Sequence, residues 1–247
     1  MDLSQFFQQC PKAALGFSGG VDSAYLLYAA VENGAQVQPY FVKTAFQPQF
    51  ELEDARRLCA QLGVELSVLD LDILNVPQVA ENPANRCYFC KKALFGRLKE
   101  QAQQDGYRVL MDGTNASDDA GDRPGMRALG ELSVRSPLRE CGITKAQVRA
   151  LSKKAGLFTW DKPAYACLAT RIPTGGKIRA EVLHQVEQAE AALSRMGYSD
   201  FRVRVFHGAA RLQLPGGQLS KAVEQREAVR EALAPWFETV LLDLKAR

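Results

Sequence analysis

The feature that most narrows what this chain can fold into is the segment Phe17-Ser18-Gly19-Gly20-Val21-Asp22-Ser23. An apolar run, Ala13-Ala14-Leu15-Gly16, precedes it and Ala24-Tyr25-Leu26-Leu27-Tyr28-Ala29-Ala30-Val31 follows. The order reads as strand, tight glycine turn, helix. Such a turn aims unpaired backbone N–H groups and the positive end of a helix dipole at one point, which makes an anion site. Gly19 and Gly20 let the backbone approach a phosphate unobstructed, and Ser18 and Ser23 add hydroxyl donors. Asp22 suits such a site if a metal ion bridges it to phosphate, or if it orients the loop. No Gly-Lys-Ser/Thr closes the segment, so it is not a Walker A loop, and it is not the dinucleotide fingerprint.

The pattern Ser-Gly-Gly-x-Asp-Ser resembles the phosphate loop of the PP-loop (N-type) ATP pyrophosphatases. Enzymes of that group split ATP between its α- and β-phosphates and transfer AMP to an oxygen. The resemblance implies that Ser18, Gly19, Gly20, Val21, Asp22 and Ser23 bind ATP, with Asp22 and Ser23 catalytic. It also implies ATP contacts at Thr44 and Gly113, and Mg²⁺ as the counter-ion.

Strand and helix signals alternate through the first two-thirds of the chain. Residues 37–42 and 64–69 read as strands, and 51–62 as a helix with Leu52, Ala55, Leu58, Cys59 and Leu62 at helical spacing and Gly63 as its stop. Residues 91–103 read as a helix and 108–111 as a strand ending at Asp112. Thr144 with Gln147 opens a capping-box helix reaching Ala155, with Gly156 as its stop. Alternation of this kind predicts an α/β fold, a parallel sheet with helices on both faces, adenine nucleotide alpha hydrolase-like by the loop's resemblance. Ligands then sit beyond the carboxyl ends of the strands. After residue 177 the pattern changes: helix 180–196, strands 201–206 and 210–214 around a His207-Gly208 turn, helix 218–233 and strand 239–244. The expected division is a catalytic domain over 1–177 and a small α+β domain over 178–247.

With 47% apolar residues in 247, the chain can bury a substantial core. A net charge of +3 is too small to argue for a nucleic-acid partner. No apolar run approaches the ~20 residues that span a bilayer. Met1-Asp2-Leu3-Ser4-Gln5 lacks a signal-peptide pattern. The expectation is a cytoplasmic protein whose thiols stay reduced, with neither membrane nor nucleic acid as partner.

Of the six cysteines, Cys10, Cys59 and Cys141 are isolated. Cys87 and Cys90 form a C-x-x-C set between a proline-containing loop and a helix start, flanked by Arg86, Lys91 and Lys92, and both features favour thiolate over thiol. Cys167 lies in a loop with Pro163 and Pro173 at its ends and Arg171 nearby. The set could be half of a zinc site, a redox pair, or unligated structural cysteines. Zinc wants four ligands in a closed site, and the histidines, His184 and His207, both fall in the tail. Three thiolates without a fourth ligand suit a [4Fe–4S] cluster with one open iron.

Further motifs occur in a fixed order: Asn85-Arg86-Cys87-Tyr88-Phe89-Cys90-Lys91, Asp112-Gly113-Thr114-Asn115, Asp122-Arg123-Pro124-Gly125, Ser136-Pro137-Leu138-Arg139, the stretch from Ala166 to Pro173, and Arg202-Val203-Arg204. Together with the loop they resemble the LarE family, ATP-dependent sulfur transferases that build the nickel-pincer nucleotide cofactor of lactate racemase. The resemblance covers nearly the whole chain. It implies that a carboxylate of pyridinium-3,5-biscarboxylic acid mononucleotide attacks the α-phosphate of ATP, and that a sulfur nucleophile then displaces AMP. Cys167 matches the cysteine that one branch sacrifices, leaving dehydroalanine. The presence of Cys87 and Cys90 matches the other branch, where they and Cys167 hold a [4Fe–4S] cluster that carries an extra sulfide.

By the same resemblance Arg202 and Arg204, two apart on a strand, hold the substrate's 5′-phosphate with Arg171 nearby. Glu190 matches an acidic site residue, whereas Ser220-Lys221 stands where the family has a second one. Asp112, Asn115 and Asp122 fall at a strand's end and in the loop after it, beside the expected site. The family resemblance also implies a homo-oligomer. A PP-loop tRNA thiolase is the nearest enzyme alternative, but no added RNA-binding module or strong basic surface is visible. An amidating synthetase of the NAD- or GMP-synthetase kind has no need of the three cysteines. A nucleotide-binding sensor with structural zinc leaves the arginine strand unexplained.

Overall fold

The structure, a computed structural model, describes residues 1–118 and 124–247. Asp122 lies outside the described residues. The chain forms two compact units, Met1–Val76 with Asn85–Lys162 and Pro77–Ala84 with Pro163–Arg247.

In the first unit α1 (Leu3–Gln9), held by an Asp2–Gln5 capping box, leads into β1 (Lys12–Gly16), α2 (Val21–Glu32), β2 (Gln36–Lys43), α3 (Gln49–Gln61) and β3 (Ser67–Asp70). After α4 (Pro77–Ala80), a single turn of the second unit, come α5 (Arg86–Gln104), β4 (Leu110–Met111), α6 (Pro124–Glu131), α7 (Pro137–Glu140) and α8 (Lys145–Lys154). The strands form a parallel sheet in the order β3-β2-β1-β4.

The period-2 alternation of β1 sorts its side chains to two buried layers. Ala13 and Leu15, with Phe41 and Met111, pack against Leu26 and Leu27 of α2, Leu58 of α3 and Val148 of α8. Ala14, Tyr40, Leu69 and Leu110 pack on the opposite face beneath Leu98 and Ala102 of α5. The Tyr40 hydroxyl donates to Asp105 Oδ2 (2.6 Å), which ties the central sheet to the end of α5. Burial first, and then this bond, raises the Tyr40 pKa.

The expected α/β architecture is thus present, with three adjustments in detail. α5 starts at Arg86 rather than near residue 91, so Cys87 and Cys90 stand in its first turns and not before it. Tyr88 secures that extra turn: its hydroxyl donates to Glu131 Oε2 (2.7 Å), and Arg127 lies 4.1 Å over its ring. The strands expected over 64–69 and 108–111 shorten to β3 and β4. The helix expected over 218–233 is two helices, α10 (Gly216–Glu224) and α11 (Arg226–Leu233), broken at Gln225 (φ −94°, ψ 18°), whose side chain accepts from the Tyr198 hydroxyl at 3.1 Å.

In the second unit α9 (Ala180–Arg195) buries Leu183, Val186, Ala189 and Leu193, a helical stripe. β5 (Arg202–Phe206) and β6 (Ala209–Gln213) pair antiparallel, and β7 (Val240–Leu242) pairs parallel to β6. The hairpin turn His207-Gly208 has φ of +49° and +83°, both left-handed as a twisted two-residue turn requires. Pro77–Ala84 joins this unit through Asn82, whose Nδ2 donates to Pro173 O (2.9 Å) and whose carbonyl accepts from Gly175 N (2.8 Å). Among the described residues no helix is long and apolar enough to cross a membrane.

Leu27 is fully buried and Leu151 is at the margin of exposure. Leu27→Ala is expected to cost about 2–5 kcal/mol through lost transfer energy and a residual cavity. Leu151→Ala should cost under about 1 kcal/mol, and urea unfolding of the two variants checks the difference.

Candidate active site

The Ser18–Ser23 loop leaves β1 at the carboxyl edge of the sheet and enters α2, whose N-cap is Gly20. Gly20 has no side chain to cap the helix, so first-turn amides stay available to a ligand. The loop is braced from inside: Ser18 N donates to Ser23 Oγ (3.3 Å), Gly20 N to Ser18 Oγ (3.3 Å), and Ser23 Oγ to Gly20 O (3.2 Å). Gly19 sits at φ +68° against α3, where a Cβ would lie 3.0 Å from Glu51 O. Gly113, beyond β4, lies so close that a Cβ there would sit 2.7 Å from Ser23 N. That contact puts Gly113 beside the first-turn amides. Thr44, just past β2, is buried, and its hydroxyl donates to Gln47 Oε1 (2.7 Å).

Asp22 faces outward from the first turn of α2. Its carboxylate pairs with the Lys145 ammonium and accepts from Asn115 Nδ2 (3.3 Å). Asn115 is therefore brought to the loop, and Lys145 at the start of α8 joins it. Lys162 donates to Asp54 Oδ2 (2.6 Å) and reaches Gly19 O (3.4 Å). Neither lysine stood out in the sequence; Lys145 carried one usable signal, its position just after the Thr144 cap. Asp112 is buried and takes Ser136 Oγ (2.7 Å) and Thr114 N (3.2 Å), so it shapes the 112–115 turn. Beside the loop, Phe17, Tyr40, Val42, Leu94 and Phe95 line an apolar slot with Ser18 at its edge. An apolar slot next to an anion-binding helix end can take a base and its phosphates together.

Cys87 and Cys90 are i and i+3 on α5, hence on one face, with Cys87 exposed and Cys90 half-buried. The Arg86 guanidinium lies 3.9 Å from Cys87 Sγ. Among the described residues no three His, Cys, Asp or Glu side chains gather as a metal site.

In the second unit Glu190 is a hub. Arg171, 1% exposed, donates to it through Nε (2.8 Å) and Nη2 (3.0 Å). The Tyr165 hydroxyl (2.6 Å) and Val203 N (2.9 Å) complete the set of donors. Burial works to lower the Arg171 pKa; the bonds to Glu190 outweigh it and raise it. The loop that carries Cys167 is held by the same side chains: Arg171 Nη1 binds Ala166 O (2.9 Å), and Arg202 Nη2 binds Ala164 O (2.5 Å). Cys167 itself is half-buried and begins a 3-10 turn (Leu168–Arg171), where its carbonyl accepts from Thr170 Oγ1 (2.9 Å). Arg202 is buried and also binds Phe201 O (2.6 Å); burial, then the Arg171 charge, pushes it down to about 10. Arg204 donates to Gln213 Oε1 (2.6 Å) and to Thr170 O. Arg171 and Arg204 border a cavity of ≈ 450 Å³; Arg202 is not among its lining residues.

Glu190→Ala is expected to destabilise the protein by about 3–5 kcal/mol, since Arg171 would keep a buried charge without its carboxylate. Denaturant unfolding at neutral pH measures that loss.

A family model described as queuosine biosynthesis protein QueC matches residues 12–82, the stretch from β1 past β3. An uncharacterized protein of Synechocystis is 39% identical over 226 residues, 90% of this chain and 84% of that one. The pyridinium-3,5-bisthiocarboxylic acid mononucleotide synthase of Lactiplantibacillus plantarum is 30% identical over 236 residues, 94% of this chain and 86% of the synthase. A tRNA-specific 2-thiouridylase of Thermotoga petrophila is 25% identical over 193 residues, 61% of this chain. With a PP-loop at the end of β1 and likeness to the synthase along almost its whole length, this chain belongs to the LarE family of ATP-dependent sulfur transferases.

Proposed function

We propose that the protein adenylates a carboxylate of pyridinium-3,5-biscarboxylic acid mononucleotide and exchanges the AMP for sulfur, giving a thiocarboxylate. The observation that carries this reading is the Ser18–Ser23 loop at the uncapped start of α2, flanked by Lys145 and Lys162. The substrate carboxylate oxygen attacks the α-phosphorus of ATP, the bond to the β-phosphate oxygen breaks, and pyrophosphate leaves. Charge grows on the departing pyrophosphate, where the first-turn amides, Ser18, Ser23 and the two lysines can stabilise it. Lys145, paired with Asp22, holds its ammonium at the loop. Asp22 suits Mg²⁺, which takes one or two carboxylates together with substrate phosphates. The slot beside Phe17 and Phe95 suits the adenine.

Sulfur then attacks the acyl carbon and AMP departs. The donor chemistry of Cys87, Cys90 and Cys167 fits a [4Fe–4S] cluster, and these residues would be its ligands. When bound, such a group supplies an open iron at which sulfide can be held. A second reading makes Cys167 itself the donor, from a loop that Arg171 and Arg202 hold in place. There the Cys167 thiolate attacks the acyl carbon and expels AMP; loss of its Cα proton and cleavage of Cβ–Sγ then leave dehydroalanine and the thiocarboxylate. For either route the three bonds that pin residues 164–166 hold Cys167 in one place.

Lys145→Ala and Asp22→Ala should each lower carboxylate-dependent pyrophosphate release by roughly 10²-fold, the scale of losing one charge-stabilising group. Removal of Mg²⁺ with EDTA should abolish it, and a coupled pyrophosphate assay reads all three. Anaerobic purification with iron and sulfide analysis separates the two sulfur routes. About four irons per chain, as the cluster formula requires, lost in Cys87→Ala, Cys90→Ala and Cys167→Ala, is the expected result. An iron-free protein that loses the mass of H₂S on turnover would replace it with the sacrificial route.

A further inference from the structure

The peptide that joins Gly19 to Gly20 is held at both of its ends. Its N–H, on Gly20, donates to Ser18 Oγ (3.3 Å). Its carbonyl, on Gly19, accepts from the Lys162 ammonium (3.4 Å). The bond is trans, so the two groups point in opposite directions and fixing one fixes the other. Glycine flanks this peptide on both sides, and that leaves it free to turn over. Neither Gly19, already at φ +68°, nor Gly20 has a Cβ to oppose the reversed form. Reversal would put a carbonyl oxygen where the Gly20 amide now stands beside the Ser18 hydroxyl, and an oxygen there repels phosphate.

Lys162 is itself immobilised. Its ammonium donates to Asp54 Oδ2 (2.6 Å) and lies 5.3 Å from the Phe50 ring centroid, and both residues belong to α3. Arg149 of α8 fixes its backbone, with Nη2 on Lys162 O (2.8 Å) and Nη1 on Trp160 O (2.7 Å). The Lys162 side chain is 17% exposed. Gly19 rests on the same helix α3, since a Cβ there would lie 3.2 Å from Ala55 N. Asp54 therefore stands one ammonium away from the phosphate loop, where its charge opposes a bound anion. A carboxylate in that place weakens anion binding unless the order it imposes on Lys162 outweighs the repulsion.

We propose that Lys162 is a positioning residue that locks the Gly19–Gly20 peptide with its N–H toward the phosphates, and that Asp54 positions Lys162. The inference deepens the ATP reading above and rests on it. Lys162 acts on the reaction through the loop's own amide, which it keeps pointed at the place where charge develops. Lys145 differs: its ammonium pairs with Asp22 and, among the described residues, with no loop carbonyl.

Two measurements on the full-length protein test this. The first is calorimetric titration with α,β-methylene ATP, with thermal unfolding followed for each variant. Lys162→Met should weaken binding by about tenfold or more, the scale of one lost hydrogen bond to a charged group. Asp54→Ala separates the lock from simple electrostatics, because it removes a negative charge beside an anion site. Coulomb attraction alone then predicts tighter binding, whereas the lock predicts weaker binding, with Asp54→Asn, which keeps an acceptor, in between. The double variant Lys162→Met/Asp54→Ala should bind no more weakly than Lys162→Met, since both changes act through one peptide. Tighter or unchanged binding by a folded Asp54→Ala overturns the proposal. The second measurement is NMR relaxation on protein labelled with nitrogen-15 only at glycine. The Gly20 amide should gain microsecond-to-millisecond exchange in Lys162→Met that wild type lacks. A Gly20 signal without that exchange overturns the lock. Wild type that does not bind the analogue overturns the ATP reading and the lock with it. Wild type that binds it but releases no pyrophosphate with the mononucleotide sinks the substrate reading alone, and the lock stands.

Discussion

The close approach of Gly113 to Ser23 is the contact on which the arrangement around the Ser18–Ser23 loop depends. A side chain at 113 would overlap the Ser23 amide, so the end of β4 can lie against the loop only because glycine occupies that position. The parallel pairing of β1 with both β2 and β4 carries the two chain segments there side by side. Once they are adjacent, Asn115 reaches Asp22, and Ser117 Oγ accepts from Lys145 N (3.0 Å). The chain thereby delivers residues far apart in sequence to the start of α2.

The second unit is organised around a buried charge pair. Burying Arg171 and Glu190 is costly unless nearly every donor and lone pair is matched, and here they are matched by each other, Tyr165, Val203 N and two loop acceptors. The consequence reaches the chemistry. The same bonds that satisfy the pair tie down the segment ending in Cys167, so the thiol is presented from a loop whose backbone has little freedom. Family resemblance assigns Arg171 and Glu190 to the site; in the structure their groups are engaged with one another.

Much of both units could be read from local pattern. The glycine loop, the Thr144 capping box, the apolar stripe of α3 and the His207-Gly208 turn each rest on contacts within a few residues, and each has the expected form. The extra turn of α5 could not be read, because it hangs on Tyr88 meeting Glu131 across forty-odd residues of chain (Tyr88 to Glu131). Nor could the break at Gln225, which follows from a Tyr198 hydroxyl on another element. The adoption of Pro77–Ala84 by the second unit likewise depends on Asn82 bonds to residues beyond 170.

By itself the sequence determined most of the sheet's strands, the longer helices and the chemistry of the loop, because backbone dihedrals, helix caps and side-chain periodicity act over one or two turns. It also carried the three cysteines and the arginine strand as types. Only the tertiary structure decided which charges meet which partners. Glu190, Arg171 and Arg202 are consumed by partners that folding brings to them, and Arg204 and Arg211 face one cavity because antiparallel register sets them opposite. Pairing of charges is a property of distance and desolvation, and neither is defined until the chain has folded.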